Sequence, residues 1–170
     1  MNDSEPRSVD AADMLRDEAL GKALLALNNA HAQELSWLEA KRLEYLIGEA
    51  FLARRIGRLD AFLLAFDQDA RYDSPNFLWF RQRYPRFVYV DRIVVASSAR
   101  GRGHARALYD DLFELAVAAG HTRVVCEVNT QPPNPGSDAF HAALGFVEVG
   151  TASVYDGSRT VRYLSRALSR

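Results

Sequence analysis

The sequence predicts one mixed α/β domain in which helices flank a central sheet. A chain of 170 residues that is 48% hydrophobic and 25% charged can bury one substantial core, and two full domains are not expected. A strand, helix and strand in succession over residues 87–128 predict two parallel strands joined by a right-handed crossover. Candidate hairpins at residues 50–66 and 146–168 add antiparallel strands to the same sheet.

Helices are predicted first along the chain, after a flexible polar end at residues 1–7 of the 1–170 domain. Leucines recur at helical spacing over residues 17–28. A second helix is expected after Ser36, whose hydroxyl we predict caps it. The inward residues of this second helix are expected to be Leu38, Leu43, Leu46 and Ile47.

Two strands are predicted next, at residues 50–54 and 59–66, with Gly57 in the turn between them. Residues 67–86 then mix aspartates with aromatic side chains, so this segment is too aromatic for a linker and too polar for a core strand. Two interpretations stay open for it. It is either an ordered loop with its own small cluster or a wall of a substrate pocket.

The strongest strand is predicted at residues 87–96, which are nearly all apolar and are therefore expected at the centre of the sheet. The clearest helix follows at residues 103–119, where the apolar residues form one stripe and Gly120 ends the helix. Residues 122–128 again predict a buried strand. These three elements form the strand, helix and strand unit.

The C-terminal part begins with a proline-rich break at residues 132–136. Ser137 is predicted to cap a short helix that runs through Leu144. Strands are expected at residues 146–154 and 160–168, around an Asp-Gly turn, and would close the sheet as a hairpin.

Composition excludes several classes of partner. The net charge is −1 and neither half of the chain is strongly basic, so we expect no nucleic-acid partner. Cys126 is the single cysteine and cannot pair within the chain, which favours a reducing compartment. The first residues are polar and no apolar run approaches about 18 residues, so a cytoplasmic protein with no membrane partner is expected.

Residues 100–105, with the sequence Arg-Gly-Arg-Gly-His-Ala, lie between the strongest strand and the clearest helix. Glycines there let backbone N–H groups turn toward one point in front of the positive end of the helix, which suits phosphate oxygens. The chain contains neither GxxxxGK followed by Ser or Thr nor a GxGxxG after the strand. A phosphate ligand other than a nucleoside triphosphate or a dinucleotide is therefore expected, with a solvated turn as the alternative.

These six residues resemble the pyrophosphate signature (Q/R)xxGx(G/A) of the GNAT N-acetyltransferase superfamily, which lies between that family's fourth strand and third helix. A second set follows the family pattern for its fourth helix: Asn134, Ser137, Phe140, His141, Leu144, Gly145 and Phe146. The resemblance runs from residue 87 to the C terminus, and the preceding helices and strands also fit. It implies a mixed, mostly antiparallel sheet in which the parallel fourth and fifth strands splay apart.

The resemblance implies acetyl-coenzyme A as the cofactor. In this family the pantetheine arm pairs with the exposed edge of the fourth strand, and one N–H there faces the thioester oxygen. The implied cofactor-binding residues are Ile93, Val94, Val95, Arg100, Gly101, Arg102, Gly103, His104, Ala105, Asn129, Asn134, Ser137 and Phe140. No metal is expected, because the histidines show no metal-ligand spacing.

Three residues are the first candidates for proton transfer, and Tyr155 and Tyr163 are further candidates for the acid. Glu127 and Asp91 are carboxylates inside apolar strands, and a buried carboxylate is costly unless it is paired or used. Glu127 is the first candidate for the base that deprotonates the amine; a structural ion pair, for example with Arg92, is the alternative for each carboxylate. His141 stands where many family members have Tyr, so it either protonates the leaving thiolate or packs against the cofactor.

The expected reaction is direct attack by a primary amine in a ternary complex, with a small molecule or a peptide as the acceptor. The expected substrate-binding residues are Asn29, Tyr72, Trp79 and Phe80. The aspartates of residues 67–86 either favour a cationic acceptor or only keep the segment soluble. A noncatalytic acyl-coenzyme A sensor and an RNA contact through the Arg-Gly loop are the competing functions. A homodimer stays open.

Overall fold

The described fold covers residues 3–33 and 35–169 in a computed structural model. Its helices are α1 (Ala11–Arg16), α2 (Glu18–Ala30), α3 (Ala40–Glu49), α4 (Pro75–Arg81), α5 (His104–Ala118) and α6 (Pro135–Ala143). Its strands are β1 (Arg7–Ser8), β2 (Leu52–Ile56), β3 (Ala61–Asp67), β4 (Val88–Val95), β5 (Arg123–Gln131), β6 (Val147–Val154) and β7 (Arg159–Ala167). In these residues we find no helix with the length and apolar character that a membrane span requires.

The strands of the described residues form one sheet in the order β1-β2-β3-β4-β5-β7-β6. β4 and β5 run parallel, and the other neighbouring pairs are antiparallel. The predicted mixed and mostly antiparallel sheet is therefore confirmed, with β4 at its centre.

β4 and β5 pair over only a short distance before they separate. Val88 lies opposite Val124 and Tyr89 lies opposite Val125. Val90 and residues 92–95 of β4 keep their partners on β3, but the edge that faces β5 pairs with no described strand. Backbone N–H and C=O groups on such an edge are available to a ligand. The predicted splayed parallel pair is thus confirmed.

Two apolar cores pack against the two faces of the sheet. One core joins the sheet to α2, α3 and α4 through residues such as Leu24, Leu46 and Phe77. The other joins it to α5 through Leu108 and Leu112, which are four residues apart and so share one helix face. Because the sheet opens between β4 and β5, residues from both faces reach the same gap.

A β-bulge in β4 changes which of its side chains share a face. Val90 pairs with Ala65 and Arg92 pairs with Leu64, so Asp91 is the extra residue. Residues that lie directly opposite each other in a sheet project on the same side. Arg92 therefore projects with Leu64 toward α2, whereas strict alternation along the strand predicts that it points toward α5.

Two helix caps differ from the prediction. Asn134, not Ser137, caps α6, and its side chain accepts a hydrogen bond from the Ser137 N–H. The reason is that proline suits the first position of a helix. The helix therefore begins at Pro135, and the residue before it becomes the cap. α3 begins after Glu39, so Ser36 does not cap it.

Two helices were not predicted. α1 has six residues, none of them buried, and is held by a capping box between Asp10 and Asp13. α4 lies within the segment at residues 67–86 that the sequence predicts as a loop, and it buries Phe77 and Phe80. Both helices are shorter than the window over which hydrophobic periodicity becomes visible.

Candidate active site

A cavity of about 730 Å³ lies where β4 and β5 separate. Its lining comes from both strands, from α6, from residues 72–76 and from the turn between β6 and β7. The predicted site residues that line it are Tyr72, Asp91, Ile93, Val95, Arg100, Glu127, Asn129, Asn134, Ser137, Phe140 and His141. The structure thus gathers candidates for proton transfer and cofactor binding around one gap in the sheet.

The other predicted site residues lie outside the lining of this cavity. They are Asn29, Trp79, Phe80, Val94, Gly101, Arg102, Gly103, His104 and Ala105. Trp79 stacks on Tyr163 with ring centroids 4.1 Å apart, and Phe80 is fully buried, so both support the wall from behind. Asn29 bonds to the backbone of Leu38. The turn at residues 101–105 adjoins the cavity through Arg100.

The turn before α5 leaves the first amides of that helix available. Gly101 and Gly103 have φ values of +77° and +78°, a region that glycine enters without strain. Gly103 is the N-cap and provides no side-chain cap, and the N–H groups of residues 104–106 bond to no described acceptor. A Cβ built at either glycine meets nothing within 4 Å, so the space in front of the helix is open. This end of α5 suits an anion.

Glu127 presents one satisfied and one free carboxylate oxygen. Its Oε1 accepts hydrogen bonds from Asn76 Nδ2 at 3.1 Å and from Tyr89 Oη at 3.0 Å. Its Oε2 is buried and has no hydrogen-bond partner among the described residues. Burial raises the pKa of Glu127 to about 8, although the hydrogen bond from Tyr89 opposes the shift. At neutral pH the carboxyl group is therefore mostly protonated.

Asn76 and Tyr89 hold Glu127, and neither residue was among the predicted site residues. Tyr163 Oη donates to Asn76 Oδ1 at 2.9 Å, which leaves the Asn76 amide nitrogen to face Glu127. Asn76 is 51 residues from Glu127 in sequence, and Tyr89 is 38 residues away. The only available signal was the polar Asn76 within an aromatic segment.

Asp91 has both carboxylate oxygens occupied. Tyr72 Oη donates to Oδ1 at 2.5 Å, and Arg92 Nε donates to Oδ2 at 2.6 Å. The Asp91 and Arg92 side chains are each 4% exposed, so this ion pair is shielded from water. Burial and the nearby Asp91 carboxylate raise the pKa of Tyr72, which keeps its hydroxyl protonated. This arrangement favours the ion-pair interpretation of Asp91 over its use as a base.

His141 is held from both ring nitrogens. Its Nδ1 lies 2.7 Å from the backbone oxygen of Ser137, and its Nε2 lies 2.7 Å from Tyr109 Oη. A carbonyl only accepts, so Nδ1 carries the proton and the Tyr109 hydroxyl donates to Nε2. Burial lowers the pKa of His141 and raises the pKa of Tyr109. The imidazole is therefore neutral at neutral pH, which favours packing over proton donation.

The aspartates of residues 67–86 do not contribute to the charge of the cavity lining. Asp73 pairs with Arg42 at 2.8 Å on the surface, and none of the aspartates of that segment lines the cavity. The charged side chains that do line it, within the described ranges, are Asp91, Glu127, Arg92, Arg100 and Arg159. The structure thus favours the interpretation that those aspartates only keep the segment soluble.

The family of the chain follows from a comparison of its sequence with family models. The model described as Acetyltransferase (GNAT) family matches residues 23–146. The chain belongs to the GNAT acetyltransferase family. A search of curated protein sequences gives no significant match.

Solved structures share the fold with this GNAT chain. The ribosomal-protein-S18-alanine N-acetyltransferase from Escherichia coli is 18% identical, with a TM-score of 0.68 over 97% of this chain and 94% of that chain. The ribosomal-protein-alanine N-acetyltransferase from Brucella melitensis is 21% identical, with a TM-score of 0.67 over 96% and 99%. The yncA structure from Salmonella typhimurium, which holds its cofactor acetyl-CoA, is 16% identical, with a TM-score of 0.68 over 97% and 94%.

Acetyl-coenzyme A is the cofactor held by the yncA structure, and it is also the cofactor that the resemblance implies for this chain. Coenzyme A carries a diphosphate and an amide-bearing arm, and the chain offers a match for both. The free N–H groups at residues 104–106 suit the diphosphate, and the unpaired edge of β4 suits the arm. Residues 3–33 and 35–169 contain no cluster of His, Cys, Asp and Glu that could hold a metal ion.

Proposed function

We propose that this GNAT enzyme moves an acetyl group directly to a primary amine while the amine and acetyl-coenzyme A are bound together. The observation that supports the proposal most is the free Oε2 of Glu127, a buried and unpartnered oxygen on a residue that lines the gap between β4 and β5. An unpartnered carboxylate oxygen in such a place is costly unless it has a chemical task.

In this proposal the two ligands enter from opposite faces of the sheet. The turn at residues 100–105 and the amides that begin α5 bind the diphosphate. The backbone of Ile93, Val94 and Val95 binds the amide-bearing arm along the free edge of β4. The cofactor-side cavity walls are Asn129, Asn134, Ser137 and Phe140, all of which line the cavity.

Acetyl-coenzyme A supplies an acetyl group activated as a thioester. Glu127, once ionised, takes a proton from the ammonium form of the acceptor through Oε2, directly or through one water. Asn76 and Tyr89 hold Oε1 at 3.1 and 3.0 Å and so keep Oε2 directed at the cavity. A backbone N–H on the free edge of β4 stabilises the negative charge that develops on the carbonyl oxygen.

His141 serves in this proposal as a packing residue beside the cofactor. A thiol with a pKa near 8.5, the reference value for cysteine, leaves as a thiolate without an obligatory acid. The hydrogen bond from Tyr109 to His141 ties α5 to α6, and the bond from His141 to the Ser137 carbonyl within α6 fixes the orientation of the ring.

The acceptor in this proposal is a primary amine of a small molecule or a peptide. Tyr72 and the pair of Asp91 and Arg92 line the side of the cavity nearest to α2 and α3, so we assign the acceptor to this side. A panel of amino acids, polyamines, aminoglycosides and short peptides tests the proposal, with release of free thiol as the readout. The proposal would be contradicted if the protein binds acetyl-coenzyme A but no amine of the panel causes release of free thiol.

The pH dependence of acetyl transfer is expected to report the ionisation of Glu127. Because the pKa of Glu127 is raised to about 8, log(kcat/KM) should rise with pH through this region and level off above it. Measuring the profile with two acceptors whose amines differ in pKa distinguishes ionisation of the enzyme from ionisation of the substrate. If Glu127 is the base, the rise occurs at the same pH with both acceptors. A rise whose pH follows the pKa of the amine would show that Glu127 is not the base.

A further inference from the structure

A chain of hydrogen bonds runs from the centre of β4 to α2. Tyr72 donates to Asp91, and Asp91 is paired with Arg92, as described above. Arg92 Nη1 then donates to Oδ1 of Asn28 at 2.8 Å. Arg92 and Asn28 are 5% and 2% exposed, so water does not compete for this contact. The bulge at Asp91 makes the chain possible, because consecutive residues of a regular strand project to opposite faces.

Arg92 also fixes the orientation of the Asn28 amide. A guanidinium group has donors only, so Asn28 must present Oδ1 to it and keep Nδ2 for other partners. Asn28 Nδ2 donates to the backbone oxygen of Ser36 at 2.8 Å and to Asn29 Oδ1 at 3.0 Å. A flipped amide would set two donors against each other at a buried position, which is unfavourable.

The same asparagines hold the chain that follows α2. Asn29 Nδ2 donates to the backbone oxygen of Leu38 at 3.0 Å, and the Leu38 N–H donates to Asn29 Oδ1 at 2.9 Å. Leu35 and Ser36 line the cavity on the side assigned to the acceptor. We call residues 35–38 the acceptor wall. Its position depends on Asn28, and the position of the Asn28 amide depends on Arg92.

We propose that Arg92 and Asn28 are positioning residues that set the acceptor wall for the amine substrate. This inference rests on the proposed function, because it assigns the wall to the amine. The hydrogen bonds of the Arg92 and Asn28 side chains go to Asp91, to one another, to Asn29 and to Ser36, and none goes to the turn before α5, to α6 or to the backbone of residues 93–95. Loss of these contacts therefore weakens amine binding and leaves acetyl-coenzyme A binding intact.

The substitution Asn28→Asp tests the proposal with little change in shape. The aspartate still accepts from Arg92 but has no N–H to donate to Ser36. Hydrogen exchange of the backbone amides in the acceptor wall, including that of Leu38, is expected to become faster. Exchange at Val88 and Val90 in β4 should stay as in the wild type, which shows that the fold is kept.

Steady-state kinetics give a second readout that a purely structural role would not produce. With the hydrogen bonds from Asn28 Nδ2 to Ser36 and Asn29 lost, the KM for the amine is expected to rise about fivefold to tenfold, and the KM for acetyl-coenzyme A to stay within about twofold. Arg92→Lys should act in the same way, because an ammonium group cannot copy the planar contacts to Asp91 and Asn28. Arg54→Lys is the matched control, since Arg54 pairs with Asp111 at 3.0 Å against α5, and it should change neither KM.

Two results would overturn the proposal. One is wild-type exchange in the acceptor wall of Asn28→Asp, and the other is a rise in the KM for acetyl-coenzyme A in place of that for the amine. The proposed function fails by a different result, namely a wild-type protein that binds acetyl-coenzyme A and acetylates no amine. In that case the exchange measurement still decides whether Asn28 positions residues 35–38.

Discussion

Glu127→Gln is expected to lower kcat for acetyl transfer by about 10²–10⁴-fold, the range that a positioned general base contributes. Glutamine keeps the shape of the side chain, and its Oε1 can still accept from Asn76 and Tyr89. It provides no oxygen that can take up a proton from the amine at ordinary pH. Thiol release at saturating acetyl-coenzyme A measures the effect.

The control for this variant is Glu148→Gln, which removes an exposed carboxylate from β6 and should leave kcat unchanged. Calorimetry with coenzyme A should give the same affinity for Glu127→Gln as for the wild type. A variant with more than a tenth of the wild-type kcat would exclude Glu127 as the base.

The same replacement is expected to stabilise the fold at alkaline pH. The pKa of Glu127 is raised from 4.5 to about 8, so in the wild type its contribution to stability is fully present below pH 4.5 and is lost as pH rises through 8. A shift of about 3.5 pKa units, at about 1.4 kcal/mol each, corresponds to about 5 kcal/mol, so Glu127→Gln should raise the free energy of unfolding by up to this amount at pH 9. Urea unfolding of the variant and the wild type at pH 4 and pH 9 measures this. The prediction would be contradicted if the difference in free energy of unfolding between the two proteins were the same at both pH values.

Gly103→Asp is expected to reduce the affinity for coenzyme A by about 100-fold or more, because it removes charge-assisted hydrogen bonds to the diphosphate. Aspartate is a favourable N-cap and tolerates positive φ better than most residues, so α5 should keep its structure. Its carboxylate would occupy the amides at residues 104–106 and repel the phosphates. Isothermal calorimetry with coenzyme A gives the affinity.

Gly103→Asn is the matched variant, since asparagine is similar in shape and in its tolerance of the left-handed conformation but carries no charge. It should lose much less affinity than Gly103→Asp. Equal losses in the two variants would mean that backbone strain at φ +78°, and not the charge, controls binding.

The sequence was most informative where a pattern is local and long. The ends of β4 and α5 were predicted to within one or two residues. A continuous apolar run indicates a strand buried on both faces, and an apolar stripe at helical spacing indicates a helix buried on one face. The glycines before α5 were informative because glycine is the residue that adopts φ near +78° without strain, and the turn before this helix has that conformation.

Other features depend on contacts that no local pattern carries. Asn76, Tyr89 and Tyr163 meet around Glu127 from three separate elements, so their joint role appears only in the folded chain. The bulge at Asp91 reverses the direction of Arg92, and no residue near it signals this insertion. Trp79 was expected to bind substrate as part of the aromatic segment at residues 67–86, and it stacks on Tyr163 outside the cavity lining.

The brief pairing of β4 with β5 leaves the sheet as a four-stranded block and a three-stranded block that share one short seam. A coenzyme lying along the open margin of β4 would supply part of the bonding that a neighbouring strand supplies elsewhere. Bound coenzyme would then stabilise the folded protein by RT ln(1 + L/Kd), where L is the free coenzyme concentration, so the effect grows with the logarithm of that concentration. Without the coenzyme, we expect local opening of the sheet to begin at this seam.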